Sequence, residues 1–438
     1  MSRLIEKSPQ VLADRLLAEG QRRASLVLDA DTGRYRVSHP LLRELAEFLE
    51  GDSRDCRNHE AIFLEASFEC GTLFSAFLHR TARGQAQGGL RHWPYERLED
   101  YLRDGLRLSL GMTRKTATAG LWWGGGKGII ARAPGSAYSE PGYRAILYRR
   151  YGEFISSLRG CYVTAEDAGT SPLDMAEVYA ATRFVTCVPE EVGGSGNPSI
   201  ATAAGVVCGM EAALEFREMG GLSGKTIAMQ GTGNVGGAMI PLLLERGVSR
   251  IVASEISEER RTGLLDAFAG ENLEVRLTRD GNHDILAEPC DILVPSALGG
   301  VIGPKSIPQI QAPIVCGPAN NQLADDERDA EALVARGITY VPDYIANRMG
   351  IVHCSNEQYG FVRADEMLSR HLGRDWEFGI HQTTLRVLAT AHREGVSPVA
   401  AANHLADELA EQPHPIWGTR ARQIIASLEA DRWPDRAR

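Results

Sequence analysis

The first half of the chain mixes helical and strand-like patterns of apolar residues. Helical spacing occurs over residues 11–23 and 39–51, and again at positions 98, 102, 106 and 110. Short apolar runs over 61–68 and 72–80 indicate paired strands. The other elements predicted here are a strand–turn–strand unit at 25–37, strands at 127–133 and 161–167, and a helix at about 140–158. Together these patterns predict an α/β unit with its own sheet.

In the second half, strand and helix patterns alternate regularly. Residues 189–198 are rich in turn-forming residues and indicate a linker, after which Ser199 is expected to cap a helix over 201–216. Strands are predicted at 226–231, 250–255, 291–297, 312–317 and 338–343, with a helix at 238–246. This alternation predicts a doubly wound parallel sheet, and from about Tyr344 onward the pattern is helical.

Composition narrows the class of protein. Hydrophobic residues make up 43% of the 438 residues and charged residues 24%, and the formal net charge is −10. An acidic surface is a poor ligand for phosphate backbones, so we expect no nucleic-acid partner. The first ten residues carry charge rather than an apolar run, and no stretch of eighteen apolar residues occurs. We therefore expect a cytoplasmic protein without a membrane segment.

The eight cysteines and eleven histidines do not follow metal-binding patterns. No Cys-x-x-Cys, His-x-x-His or His-Glu-x-x-His spacing occurs, and several cysteines lie in apolar runs. We expect reduced core thiols and no metal site.

A glycine-rich turn between the predicted strand at 226–231 and the helix at 238–246 indicates a dinucleotide site. Gly231, Gly233 and Gly236 have Gly-x-Gly-x-x-Gly spacing, in which the first glycine permits the turn, the second lets backbone approach a pyrophosphate and the third allows close packing. The helix that follows directs the positive end of its dipole at the phosphates. The residues expected to bind the cofactor here are Gly231, Thr232, Gly233, Asn234, Val235 and Gly236.

Glu255 ends the next strand, twenty-four residues after Gly231. A carboxylate at this place hydrogen-bonds the ribose hydroxyls and repels a 2′-phosphate, which favours NAD over NADP. Arg260 and Arg261 lie close in sequence and would soften that preference, so NADP stays the alternative.

Lys115 and Lys127 lie twelve residues apart around a run of three glycines, and Asp167 follows in TAEDAGT. A lysine among glycines and tryptophans loses solvation, and its pKa then falls toward the range where it exchanges protons. We interpret Lys115 as the anchor of a substrate carboxylate, and Lys127 with Asp167 as the groups that handle protons at a carbon–nitrogen centre. The alternative for each residue is a surface ion pair.

At these motifs the chain resembles the glutamate/leucine/phenylalanine/valine dehydrogenase family. The resemblance runs from about His59 to about Gly360 and rests on motifs that occur in the family's order: GGLRHWPY, GMTRK with GGGK twelve residues on, TAEDAGT, SGNPSIATAAGV, GTGNVG, PSALGG, ANNQL and PDYIAN. It implies a homo-oligomer of two-domain subunits that oxidatively deaminates an L-amino acid to its 2-oxo acid and ammonia with NAD. The leucine and phenylalanine branch is the most similar.

The resemblance also implies roles for single residues. Lys115 matches the carboxylate-binding lysine, Lys127 the catalytic lysine that activates water, and Asp167 the aspartate that exchanges protons with the amino group. Thr202 and Asn320 match residues near the nicotinamide. Gly88 and Gly89 match glycines that line the substrate, while Gln87, Ala165, Ile351 and Cys354 match the side-chain pocket.

Two departures from the family pattern bear on substrate choice. Arg348 and Met349 replace small residues next to the substrate. Gln87 stands where glutamate-specific members have a lysine and leucine-specific members an apolar residue. Because a buried carboxylate without a partner is costly, we expect glutamate to be a poor substrate and a larger or hydrogen-bonding neutral side chain to be preferred. The alternative is that Gln87 turns to solvent and leucine-like substrates react normally.

We therefore predict an α/β enzyme of two domains. The expected parts are an N-terminal extension at 1–55, a domain for substrate binding, catalysis and oligomerisation at 56–196, an NAD-binding Rossmann domain at 197–345 and a helical segment at 346–438 that packs back on the first domain. Two other functions stay open: a sensor that binds NAD or an amino acid without turnover, and a hydroxy-acid dehydrogenase, which would be expected to use a histidine base.

Overall fold

The computed structural model describes residues 3–360, 362 and 364–436 and contains two sheets. The first sheet has seven strands in the order β2-β1-β3-β4-β6-β5-β7. Its strands are β1 (Arg23–Leu28), β2 (Tyr35–Val37), β3 (Ala61–Ser67), β4 (Thr72–Leu78), β5 (Ala86–Trp93), β6 (Gly124–Ala131) and β7 (Tyr162–Glu166). The first five strands in this order, β2, β1, β3, β4 and β6, pair antiparallel with one another. Strand β5 is parallel to both of its neighbours, β6 and β7.

The first 55 residues do not form a separate extension. Strand β1 pairs with β3 from Arg23 opposite Glu65 to Val27 opposite Ala61, so this segment widens the first sheet. The expected strand–turn–strand unit at 25–37 is present as β1 and β2. Every residue of β3 and β4 is buried because helices cover both faces of the sheet.

Strand β5, which lies between β6 and the edge strand β7, was not predicted from its sequence. It reads AQGGLRHW, and its two glycines hide the strand pattern. Gly88 cannot carry a side chain, because a Cβ there would lie 1.7 Å from the carbonyl oxygen of Gly126 on β6. The glycine pair therefore lets β5 lie close to its neighbours β6 and β7 at one side of the sheet.

The second sheet is the predicted doubly wound one, with six parallel strands in the order β10-β9-β8-β11-β12-β13. Its strands are β8 (Thr226–Gln230), β9 (Arg250–Glu255), β10 (Leu273–Leu277), β11 (Ile292–Pro295), β12 (Ile314–Val315) and β13 (Thr339–Tyr340). Strand β10 was missed because it is an exposed edge strand with only one buried residue, Val275. The two-domain α/β fold is confirmed.

Fifteen α-helices in the described residues surround the sheets. They are α1 (Pro9–Ala18), α2 (Arg43–Gly51), α3 (Leu98–Thr118), α4 (Pro141–Ser157), α5 (Pro172–Tyr179), α6 (Ser199–Phe216), α7 (Asn234–Glu245), α8 (Glu258–Ala267), α9 (Asp326–Ala335), α10 (Asp343–Ala346), α11 (Met349–Ser355), α12 (Glu366–Leu372), α13 (Ile380–Glu394), α14 (Pro398–Ala410) and α15 (Arg420–Ala430).

Two helices differ from expectation at their ends. Ser199 does not cap α6; it is the first helical residue, and its N–H donates to Oδ1 of Asn197 at 2.8 Å. Helix α3 runs eight residues beyond the predicted Leu110, so Lys115 lies in its last turn. Gly125 lets α3 lie directly on β6, since a Cβ there would be 2.2 Å from the backbone nitrogen of Thr113.

The C-terminal helices contact both domains rather than the first alone. Helix α13 packs on α6, and α14 packs on both α3 and α9. Helix α15 returns to the first sheet, where Trp433 beyond it makes edge contacts with Phe63 and packs near Phe154. Among the described residues, one helix, α6, has the length and apolar composition of a membrane-spanning helix. In this structure it packs against α7, α11 and α13.

Candidate active site

A cleft of about 840 Å³ separates the two domains. Its first wall comes from α3, the middle of β5 and β6 and the end of β7, and its second wall from α6, α7, α10, α11 and the loop before α9. Ten of the predicted site residues line this cleft: Gly89, Lys115, Lys127, Ala165, Asp167, Thr202, Val235, Asn320, Ile351 and Cys354.

Lys127 and Asp167 form an ion pair at the bottom of the cleft. Nζ of Lys127 lies 2.7 Å from Oδ2 of Asp167, and the lysine side chain is only 4% exposed. Burial lowers the pKa of Lys127, although Asp167 opposes this shift. The two groups are therefore close enough to exchange a proton directly.

Asp167 has a second cationic partner that the sequence analysis did not identify. Nε of Arg91 lies 3.0 Å from the same Oδ2 oxygen. Burial alone would raise the pKa of Asp167, but Lys127 and Arg91 together outweigh it and hold the pKa at about 2. The preceding residue, Glu166, also lines the cleft, and burial raises its pKa to about 7.

Arg91 is itself fixed by two further side chains. Its Nη1 binds both carboxylate oxygens of Asp104 at 3.0 and 2.9 Å, and the hydroxyl of Tyr95 donates to Asp104 at 2.6 Å. These residues lie inside the GGLRHWPY motif and on α3. Once β5 is known to be a strand, the two-residue spacing of Gly89 and Arg91 places them on one face, but the spacing does not indicate that Asp167 is the partner.

Lys115 faces the cleft from the last turn of α3 and contacts the second domain. Its Nζ donates to Oδ1 of Asn320 at 3.3 Å, and Nδ2 of Asn347 donates to the same oxygen at 2.8 Å. Burial lowers the pKa of Lys115 to about 8, while Asp343 at the start of α10 opposes this shift. A charged amine near the glycine-lined wall is suited to a carboxylate ligand.

The glycine-rich turn after β8 has the local shape of a dinucleotide cradle. Gly231 has φ +89°, and a Cβ there would lie 2.8 Å from Cβ of Ala297. A Cβ on Gly236 would meet the carbonyl oxygen of Gly231 at 2.5 Å, so this glycine lets α7 pack closely. Gly233 faces open space, where the nearest atom to an added Cβ would be Nη1 of Arg260 at 3.6 Å. The residues present therefore fit a bound pyrophosphate.

Glu255 lies beside this turn at the end of β9. Its carboxylate accepts the backbone N–H groups of Ile256 and Ser257 at 2.8 and 2.9 Å and the hydroxyl of Thr232. Burial alone would raise the pKa of Glu255, but these hydrogen bonds outweigh it and lower the pKa. An ionised carboxylate is thus held next to the cradle, and the guanidinium of Arg260 lies beside Gly233 of the same turn.

The side-chain end of the cleft is mostly apolar. Ala165, Ile351 and Cys354 line it, together with Cys187 from the interdomain segment. Gly88, which was expected to line the substrate, instead lies on the opposite face of β5 and serves strand packing. Thr202 lies near the start of α6, with its hydroxyl 3.0 Å from where a Cβ of Gly350 would be.

Gln87 is fully buried and does not turn to solvent. It shares a face of β5 with Gly89 and Arg91. Its Nε2 donates to Oγ1 of Thr186 at 3.3 Å, and its buried Oε1 has no hydrogen-bond partner among the described residues. Gln87 therefore lies behind the lining of the cleft rather than on its surface, beside Thr186 and close in sequence to Cys187, which lines the cleft just before the linker.

Arg348 and Met349 do not shape the pocket as expected. Both side chains are fully buried and neither lines the cleft. Met349 packs against Gly205 of α6, where an added Cβ would lie 2.6 Å from its Cγ. Small residues are thus replaced here by large ones that point away from the substrate side.

Two family models match most of the chain, one over each domain. The family model described as Glu/Leu/Phe/Val dehydrogenase, dimerisation domain, matches residues 71–184. The model described as Glutamate/Leucine/Phenylalanine/Valine dehydrogenase matches residues 193–257 and 250–411.

Single relatives are similar at the level of about one residue in three. The leucine dehydrogenase of Geobacillus stearothermophilus is 36% identical over 355 residues, which cover 81% of this chain and 91% of that protein. The phenylalanine dehydrogenase of Lysinibacillus sphaericus is 36% identical over 347 residues, covering 79% and 87%. The crystal structure of L-tryptophan dehydrogenase from Nostoc punctiforme has 31% identity and a TM-score of 0.65, covering 80% of this chain and 96% of that one.

Proposed function

Because this chain belongs to the glutamate/leucine/phenylalanine/valine dehydrogenase family and is an NAD(P)-dependent amino-acid dehydrogenase, we propose that it uses NAD and acts on L-amino acids with neutral side chains. The reaction converts the amino acid, water and NAD⁺ to the 2-oxo acid, ammonium, NADH and a proton. The observation that carries the assignment is the 2.7 Å pair of Lys127 and Asp167 in a cleft that also holds Lys115.

Each of the three charged residues has a proposed task. Lys115 pairs with the substrate α-carboxylate from the end of α3. Lys127, whose pKa is lowered by burial, acts as the base that activates water for attack on the imino carbon. Asp167 exchanges protons with the departing amino group, and its contact with Lys127 allows the proton to move between them.

NAD, when bound, accepts the hydride from the substrate α-carbon. The turn from Gly231 to Gly236 would hold the pyrophosphate, and Thr202 and Asn320 would lie near the nicotinamide end, since both line the cleft. The preference for NAD over NADP is supported by the ionised carboxylate of Glu255 beside the cradle. Arg260 over Gly233 is the group that would favour a 2′-phosphate if this preference is wrong.

The neutral-substrate proposal is supported by the pocket. Ala165, Ile351 and Cys354 offer no cation to a side-chain carboxylate, and burying that carboxylate unpaired would be costly. The unpartnered Oε1 of Gln87 lies directly behind this lining, where a hydrogen-bond donor brought by a polar side chain, or a water between them, would satisfy it.

We also propose a cytoplasmic homo-oligomer. The first domain matches a model described as a dimerisation domain. Its surface exposes Phe68, Leu173 and Tyr179, which a partner subunit would cover. Light scattering coupled to size-exclusion chromatography tests this, and a monomer at micromolar concentration would overturn it.

The test of function is a screen of the twenty L-amino acids at alkaline pH with NAD and with NADP, following the reduced cofactor. Turnover of a neutral amino acid with NAD, abolished in Lys127→Ala, is the expected result. Binding of NAD without turnover of any amino acid would instead indicate a sensor. Preferred turnover of glutamate would refute the pocket argument.

A further inference from the structure

Arg348 is the largest side chain that is fully buried in the described structure, and it has only neutral partners there. Its Nη1 donates to the carbonyl oxygen of Thr118 at 2.7 Å, and its Nη2 donates to the carbonyl oxygen of Phe378 and to Oγ1 of Thr383 at 3.1 Å. Within the described residues no carboxylate is paired with it. A guanidinium in such surroundings requires a reason beyond stability, because apolar residues of similar volume often stabilise such a site equally well.

The three contacts of Arg348 join parts of the molecule that form opposite walls of the cleft. Thr118 is the last residue of α3, three residues after Lys115. Arg348 itself is the residue before α11, the helix that carries Ile351 and Cys354. Phe378 and Thr383 lie at the start of α13, which packs on α6 of the second domain.

The contact with Thr118 suits the charge of Arg348. The last carbonyl groups of a helix have no intrahelical partner and carry the negative end of the helix dipole, so a cation is favourable there. Burial lowers the pKa of Arg348 to about 9, so it stays protonated at neutral pH.

The packing around this guanidinium leaves little room for adjustment. Ala119, Met349, Val352 and Ile380 form one apolar cluster across the domain boundary. A Cβ on Gly120 would lie 2.7 Å from the ring of Phe378, so the loop after α3 touches the segment before α13 directly. The carboxylate anchor on α3 and the pocket wall on α11 are therefore joined through one tightly packed connection.

We propose that Arg348 is a positioning residue that fixes the spacing between Lys115 and the side-chain pocket on α11. This inference rests on the proposed function. A substrate held by its carboxylate at Lys115 must place its side chain against Ile351 and Cys354, and Arg348 sets the distance between these two walls. Its effect is accordingly greatest for substrates with a side chain long enough to reach α11.

The test compares a small and a large substrate in two variants. Arg348→Met keeps volume and removes all donors, and Arg348→Lys keeps the charge with fewer donors. In Arg348→Met we expect KM for the best large neutral amino acid to rise about tenfold, and KM for alanine to change less than threefold. We expect KM for NAD to change less than twofold in Arg348→Met. In Arg348→Lys, KM for the large substrate should lie between the values of the wild type and Arg348→Met.

Arg83 supplies a matched control. It is also buried, it binds the carbonyl oxygens of Leu121 and Leu409 and the side chain of Gln412, and it lies away from α11. Arg83→Met should lower the melting temperature without changing the ratio of KM values for large and small substrates. The same ratio change in Arg83→Met would show that any buried arginine has this effect, which would overturn the proposal.

Two further outcomes decide the matter. Equal KM changes for alanine and the large substrate, or unchanged KM values in a folded Arg348→Met enzyme, would refute the positioning role. If Arg348→Met does not fold, Arg348→Lys is measured alone, and an unchanged ratio of KM values again refutes it. Wild-type protein without amino-acid turnover would refute the proposed function itself, and this is measured first.

Discussion

Replacing Arg91 with glutamine should raise the pKa of Asp167 and with it the acid limb of the pH–rate profile. Arg91 is one of two cations that hold Asp167 ionised. Glutamine keeps a polar side chain in the same place but removes the charge. Lys127 must be neutral to act as the base and Asp167 ionised to take a proton, so the acid limb of the profile reports the coupled pair. Arg91 also lowers the pKa of Lys127, and its loss therefore raises the pKa of both groups.

The size of the shift follows from the geometry. Nε of Arg91 lies 3.0 Å from Oδ2 of Asp167. Unit charges roughly 4 Å apart interact by about 4 kcal/mol at an effective dielectric constant of about 20, which corresponds to about 3 pKa units. The two side chains are 22% and 21% exposed, so water screens part of this interaction. We expect a rise of about 1–2 units, within the range observed for Asp–Arg pairs.

Arg91→Gln should also lower the stability of the folded protein at neutral pH. The pKa of Asp167 is about 2 in the folded protein and about 3.9 in an unfolded chain. Its ionisation therefore stabilises the fold above the unfolded value, and this contribution is lost as pH falls toward the folded value. In Arg91→Gln the pKa of Asp167 in the folded protein moves toward its value in the unfolded chain, so ionised Asp167 contributes less to stability at neutral pH.

The assay is kcat/KM for the amino acid measured from alkaline pH downward. The acid limb of Arg91→Gln should lie about 1–2 pH units above that of the wild type, with little change at the alkaline end of the profile. Asp104→Asn is the matched control, because it removes the other carboxylate bound to Arg91 and leaves the Arg91–Asp167 pair in place. An acid limb that stays in place in Arg91→Gln, or that rises equally in Asp104→Asn, would refute the reasoning.

Three further predictions follow from the site. Lys127→Ala should lower kcat by at least 10²-fold with NAD binding intact, as measured by steady-state kinetics and cofactor titration; more than about a tenth of wild-type kcat would contradict the base assignment. Glu255→Ser should weaken NAD and relatively favour NADP, seen in the ratio of the two kcat/KM values, and a wild type that already prefers NADP would show the reading of Glu255 to be wrong. Gln87→Leu should reduce kcat/KM for polar neutral amino acids about tenfold relative to leucine, and equal values in both proteins would mean that Gln87 does not influence the pocket.

Features that depend on neighbouring residues could be predicted from the sequence. The turn from Gly231 to Gly236 lies between a strand and a helix as expected, because the pattern of glycines specifies its own backbone geometry. Lys115, Lys127 and Asp167 meet in one cleft because they lie in motifs typical of a family that the comparisons confirm. Their individual roles stay predictions.

Features that depend on contacts between distant parts of the chain could not be predicted from the sequence. Strand β5 is buried between two neighbours, so its side chains need no alternation, and the glycines that allow this also hide it. Arg91 reaches Asp167 across 76 positions of sequence, and Arg348 reaches Thr118 across 230. The sequence shows that Arg348 departs from its family's pattern, but only the packing shows that its guanidinium points away from the substrate.

The return of α15 to the first sheet has a mechanical consequence. The chain passes from the first domain to the second through residues 189–198 and comes back after α14, where the N–H of His414 binds the carbonyl oxygen of Ala82 at 3.1 Å. Two covalent connections across one boundary restrict the relative motion of the domains more than a single linker would. They therefore oppose twisting or sliding that would move Lys127 out of line with the nucleotide-binding turn of the second domain.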